Sequence, residues 1–219
     1  MIDKRCGSVA EALRDIGDGA VIAVGGFGNS GIPQALLGGL LARNVRELTI
    51  VSNNAGGLDD GLGRLFTAGR VRKIICSYPR SDGPIGFDAG YARGEVELEL
   101  VPQGTLSERL RAGGAGIAAF FTPTAAGTQL AAGKEVRAFG NRPHVLETAL
   151  VPDFALIRAD RADRWGNLIY HSAARNFGPV MAAAARTTIA EAREIVELGA
   201  LDPEHVVTPG IFVTRVVAV

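Results

Sequence analysis

The chain has 219 residues, 47% hydrophobic and 21% charged, with 23 basic side chains against 23 acidic ones. That length suits one domain over 1–219 with ample core, and a zero formal charge gives no support to a nucleic-acid binder or a polybasic membrane protein. Two cysteines are too few for a disulfide framework or a zinc site, and the N-terminus shows neither a signal peptide nor an apolar run long enough for a membrane helix, which predicts a soluble, cytoplasmic protein.

Ser8-Val9-Ala10-Glu11 has capping-box spacing and predicts a helix from Val9 to about Ile16. After Gly17-Asp18-Gly19, the run Ala20 to Val24 is a strand buried on both faces. A glycine loop, Gly25 to Gly31, leads to Pro33 at a first helical turn and a helix over Gln34 to Arg43. Leu48 to Val51 is a second strand, followed by the polar loop Ser52 to Gly57 and a short helix near Leu62 to Ala68. Val71 to Cys76 is a third strand, with Cys76 a buried thiol. Glu95 to Leu100 alternates strictly, predicting a half-exposed strand with its glutamates toward solvent.

Thr105-Leu106-Ser107-Glu108 offers a second capping box for a helix ending at Gly113-Gly114. Lys134 to Phe139 and Val145 to Leu150 read as a hairpin or small subsheet. Phe154 to Ala159 and Ile211 to Val219 read as strands, and Pro179 to Arg186 as a helix. Strands alternating with helices predict an α/β fold, a mainly parallel open sheet with helices on both faces.

The glycine loop Gly26-Phe27-Gly28-Asn29-Ser30-Gly31 matches G-x-G-x-x-G, which alone is a weak signal. A dinucleotide site requires a carboxylate at the end of the second strand, and that strand ends in Ser52-Asn53-Asn54. The nicotinamide reading fails there. What survives is a strand feeding a helix through glycines, which leaves backbone N–H groups free to meet a phosphate, a carboxylate or a developing oxyanion.

No nucleophile elbow occurs, and His144, His171 and His205 lie far apart, without metal-ligand spacing. Asp59-Asp60 lacks the further ligands a cation needs. The chain thus offers an anion loop without a convincing base or nucleophile.

Several longer stretches carry a family resemblance. Asp18-Gly19-Ala20-Val21-Ile22-Ala23-Val24-Gly25-Gly26-Phe27, then Gly31-Ile32-Pro33, closely resembles the A-subunit signature of family I CoA-transferases. Val51 to Gly56, Val101 to Leu106, Arg111 to Ile117, Phe121 to Thr124, Ala174 to Phe177 and Leu201 to His205 fit as well, so the resemblance spans nearly the whole chain. One departure is Ala125, where the family usually has glycine.

The resemblance implies a CoA-transferase-like fold and a half-enzyme. The B subunit of a hetero-oligomer, A2B2, supplies a glutamate in a Ser-Glu-Asn-Gly setting, a tetrapeptide absent from this chain. It further implies that Gly25, Gly26, Phe27, Gly28, Asn29, Ser30 and Gly31 contact CoA, and that Asn53, Asn54 and Gln103 lie near the carboxylate and thioester. No tightly bound cofactor or metal is implied; CoA and succinyl-CoA are substrates. Cys76 to Arg80, Asp163 to Asn167 and Asn176 to Pro179 lean toward members using 3-oxoadipate, which sets the reaction in aromatic-compound catabolism. Acetoacetate is the competing acceptor, and Arg80 is a candidate for a distal carboxylate. From other classes, a sugar-phosphate isomerase requires an in-chain acid or lysine opposite the loop, and a CoA-binding regulatory module would bind CoA without a partner.

Overall fold

The computed structural model describes residues 2–57, 61–79 and 86–219. Asp59, Asp60 and Arg80 lie outside them. The helix predicted from Ser8 is α1 (Val9–Ala12), where Ser8 Oγ accepts the Glu11 N–H at 3.1 Å. It gives way to turns before Ile16.

From there β1 (Val21–Val24), α2 (Gln34–Ala42), β2 (Leu48–Ser52), α3 (Gly61–Thr67), β3 (Val71–Cys76), α4 (Gly86–Ala92), β4 (Glu97–Leu100) and α5 (Gln103–Gly114) follow in βαβ succession. A small antiparallel sheet of β5 (Ala119–Thr122), β6 (Val136–Phe139) and β7 (Arg142–Thr148), in order β5-β7-β6, contains the predicted hairpin. The chain then returns through β8 (Phe154–Asp163), β9 (Leu168–Ile169), α6 (Gly178–Ala184), β10 (Thr187–Val196) and β11 (Arg215–Ala218).

The main sheet runs β11-β10-β8-β1-β2-β3-β4, all parallel, with β9 antiparallel on β8. Its central strands β1 and β2 are buried on both faces, as expected where helices cover both. Ile22, Ile50 and Ile74 pack with Leu36, Leu40 and Leu65 on one side. Ala23, Val51 and Ile75 pack with Leu106, Leu110 and Met181 on the other.

Three expectations change. Helix α5 starts at Gln103, two residues before the predicted capping box. Pro102 precedes it with no side-chain cap, and Thr105 Oγ1 is buried without a partner. Glu99 does not face solvent freely, since it pairs with Arg109 at 2.7 Å and Lys73 at 3.0 Å. Burial works to raise its carboxyl, but those two cations outweigh burial and hold it below the usual range. Residues 210–212 form a 3-10 turn, so the last strand starts only at Arg215.

Candidate functional site

The chain order of the sheet reverses at β1, because β2 to β4 build outward on one side and β8 is added on the other. In open parallel sheets the loops leaving the carboxyl ends diverge at such a point and open a crevice. Three segments singled out in the sequence sit at this end: the glycine loop after β1, Asn53-Asn54 after β2, and Gln103 after β4.

Asn53 and Gln103 meet directly, with Gln103 Nε2 donating to Asn53 Oδ1 at 2.7 Å. Ser77, just beyond β3, donates to the same oxygen at 2.7 Å. The Asn53 backbone carbonyl accepts the N–H groups of Ser77 and Tyr78, at 3.2 and 3.0 Å. Asn54 Oδ1 accepts the Gly56 N–H at 2.9 Å, an Asx turn that folds the loop back. Both asparagines are more than nine-tenths buried.

In each asparagine the amide oxygen is consumed internally while the NH2 donates to nothing among the described residues. Neutral amide donors therefore gather at the carboxyl ends of β2 and β4. Such donors stabilise an oxyanion without competing for a proton.

The glycine loop is a tight hairpin. Phe27 and Ser30 exchange backbone hydrogen bonds of 3.0 Å in both directions across Gly28-Asn29. Two glycines are sterically required. Gly31 has φ +72, and a Cβ there would lie 2.4 Å from the Ala174 carbonyl oxygen; at Gly26, φ is +137 and a Cβ would meet Ile32 at 2.8 Å.

One side chain anchors the loop. Asn176 Oδ1 accepts Gly26 N–H at 3.0 Å and Phe177 N–H at 2.7 Å, while its Nδ2 donates to the Ser30 carbonyl at 3.1 Å. Asn176 itself sits at φ +21, backbone that asparagine tolerates better than most residues. Sequence reasoning misses this role and has the residue only inside the family stretches Ala174 to Phe177 and Asn176 to Pro179.

The loop has two sides. Phe27, half exposed, lines a crevice of about 260 Å³ with Gln103, Gly104, Ser107, Asn176 and Phe177. Asn29, Ser30 and Gly31 face a different cavity, so the predicted contact loop is divided between two spaces.

The expectation that the helix after the loop leaves its first amides free is also corrected. The Leu36 N–H of α2 is taken by Glu191 Oε2 at 3.0 Å, from β10. Burial pushes the Glu191 carboxyl up, against the opposing pull of the α2 amides and of Arg158. The helix end that a ligand would use is already filled by a carboxylate of the chain's own.

No described carboxylate or histidine bonds to Asn53, Asn54 or Gln103. Burial pushes the Cys76 thiol up to about 12, which removes it as a thiolate. Among the described residues there is no cluster of three or more His, Cys, Asp or Glu fit for a metal, and no helix long and apolar enough to cross a membrane.

Fold and site together define an α/β protein with neutral amides gathered at the carboxyl ends of its early strands. The chain belongs to the coenzyme A transferase family, whose model matches residues 7–219. It is 57% identical over 219 residues to the A subunit of 3-oxoadipate CoA-transferase from Pseudomonas putida, covering 100% of this chain and 95% of that one. It is 50% identical to the A subunit of a probable succinyl-CoA:3-ketoacid coenzyme A transferase from Bacillus subtilis, covering 96% of this chain and 87% of that one. Among solved structures, glutaconate coenzyme A-transferase of Acidaminococcus fermentans shares the fold with a TM-score of 0.88 at 21% identity, covering 98% of this chain and 75% of that one.

Proposed function

We propose that this chain is the A subunit of a cytoplasmic, hetero-oligomeric CoA-transferase, A2B2, that moves CoA from succinyl-CoA to 3-oxoadipate. The observation that carries the reading is the Asn53–Gln103–Ser77 cluster, a set of neutral donors with no nucleophile attached. In the scheme the family resemblance implies, a glutamate on the B chain attacks the thioester carbonyl and expels CoA as thiolate, leaving an acyl-glutamyl anhydride. The thiolate attacks the glutamyl carbonyl and releases succinate, which leaves a glutamyl-CoA thioester. The acceptor carboxylate takes CoA by the reverse steps, with ping-pong kinetics.

Each step passes through a tetrahedral oxyanion. The NH2 groups of Asn53 and Asn54, unpartnered among the described residues, and the second N–H of Gln103 are this chain's contribution to it. One such donor is worth roughly 3–4 kcal/mol of barrier. Phe27 forms the wall against which the thioester lies, with CoA bound as substrate.

The acceptor is the finer part of the reading. The Pseudomonas putida relative is named for 3-oxoadipate, and the Bacillus subtilis relative for succinyl-CoA and 3-ketoacids, which keeps acetoacetate as a second reading. The test is transfer from succinyl-CoA by the chain alone and by the chain co-expressed with a B subunit, with either acceptor. The expected result is no turnover alone, turnover with the partner, preference for 3-oxoadipate, and a CoA adduct on a partner glutamate. Turnover by the isolated chain, or an adduct on one of its own glutamates, ends the reading. CoA binding with no transfer by the complex would make the chain a regulatory module.

A further inference from the structure

The last pairing of β1 with β8 is Val24 opposite Leu156, yet β8 and β10 stay paired out to Asp163 and Val196. This two-stranded ribbon and the loop leaving β1 diverge where the chain order of the sheet reverses. A cavity of about 310 Å³ opens in that corner, with loop residues 29–31 on one side and Arg158, Asp160, His171 and Arg193 on the other.

Glu191 pairs with Arg158 in register, and side chains two apart share a face, so Arg158, Asp160, Glu191 and Arg193 all project from one face of the ribbon. Both acids there are committed. Asp160 accepts from Arg193 Nε at 2.8 Å, and Glu191 caps α2. Arg158 is exposed and has no ion pair among the described residues; its charge acts only at longer range, on Glu191. Beside the glycine loop the cavity therefore holds an imidazole, the paired Arg193 and Asp160, and one uncommitted guanidinium, Arg158. Planar guanidinium forks suit carboxylate and phosphate oxygens.

We infer that this cavity is a second anion subsite, which takes carboxylate or phosphate oxygens at the end of the substrate remote from the thioester. The inference rests on the CoA-transfer reading, because the loop that walls this cavity also walls the crevice at Gln103. Arg158 makes the direct contact, and Arg193, held in place by Asp160, closes the far side. The oxygens come either from the distal carboxylate of a dicarboxylic acyl group or from the phosphates of CoA.

The test is steady-state kinetics of the complex with Arg158→Gln and, separately, Arg193→Gln. A distal carboxylate at the site raises KM for 3-oxoadipate roughly 10- to 100-fold, the scale of a lost charge-assisted hydrogen bond, and spares acetoacetate. CoA phosphates at the site raise KM for every thioester by a common factor and spare both acids. Unchanged KM for all substrates in both variants overturns the subsite, while turnover by the wild-type complex keeps the CoA-transfer reading intact. If the wild-type complex is inactive, calorimetric titration of the full chain with adipate and with inorganic pyrophosphate decides. Binding lost in Arg158→Gln supports the subsite, and no binding to the wild type overturns it.

Discussion

Replacing Asn176 with aspartate swaps one NH2 for an oxygen at the anchor of the glycine loop. The retained oxygen can still accept from Gly26 and Phe177. The new oxygen faces the carbonyls of Ser30, Ala173 and Ala174, each 3.1 Å from the original nitrogen. An NH2 group carries two protons, so two hydrogen bonds are lost, at about 1 kcal/mol each, and a carboxylate is added against carbonyl dipoles. The expected cost is about 2–4 kcal/mol. For a chain of this size each kcal/mol moves the thermal midpoint by about 2–4 °C, so Asn176→Asp should melt about 5–15 °C lower. Acidification, which protonates the new carboxyl, should return part of the loss. Differential scanning calorimetry of wild type and variant at neutral and acid pH reads both effects, and transfer by the complex reads the consequence for the loop. A variant that melts within a degree of wild type would show that Asn176 does not hold the loop. A destabilised variant with undiminished transfer would separate the anchor from the reaction.

Gln103→Ala should lower kcat about 10²- to 10³-fold, with a thermal midpoint nearly unchanged because the side chain is exposed; a fall in stability with little change in kcat would make Gln103 structural. Ala125 has φ +65, and the left-handed region costs a non-glycine residue roughly 1–2 kcal/mol, part of which glycine returns through its freer unfolded chain. Ala125→Gly should therefore stabilise the chain by about 0.5–1 kcal/mol in denaturant unfolding, and destabilisation would contradict the strain. Glu191 has a raised carboxyl, so its contribution is fully present below its ordinary value of 4.5 and is lost as pH rises through the folded value. Glu191→Gln, neutral throughout and still able to accept from Leu36, should gain stability relative to wild type as pH rises above 4.5; a difference independent of pH would refute the assignment.

The first half of the fold is legible in the sequence because local signals agree with tertiary packing. Ala20 to Val24 is an apolar run bounded by turn residues and forms a buried strand, and Ile74-Ile75-Cys76 does the same for the buried end of β3. Strand β10 has no such signal, since Ala190-Glu191-Ala192-Arg193-Glu194 carries helix-forming residues, and pairing between β8 and β11 overrides that preference. Without β10, two features stay hidden at once: the carboxylate at the head of α2, and half of the cavity that Arg158 faces. Helix α5 starts earlier than its sequence suggests because Thr105 has capping-box spacing, whereas its hydroxyl is buried inside the first turn. The amides Asn53 and Gln103 are visible through the family motifs; their 2.7 Å contact joins residues 50 apart and has no local signature. Ala125 stands out as a departure from glycine, and its positive φ gives that departure a conformational cost.

The reciprocal bonds between Phe27 and Ser30 make the hairpin a thin partition with a room on either side. Because Phe27 and Ser30 each border one room and bond to one another, a substitution that opens the hairpin would reshape both rooms at once.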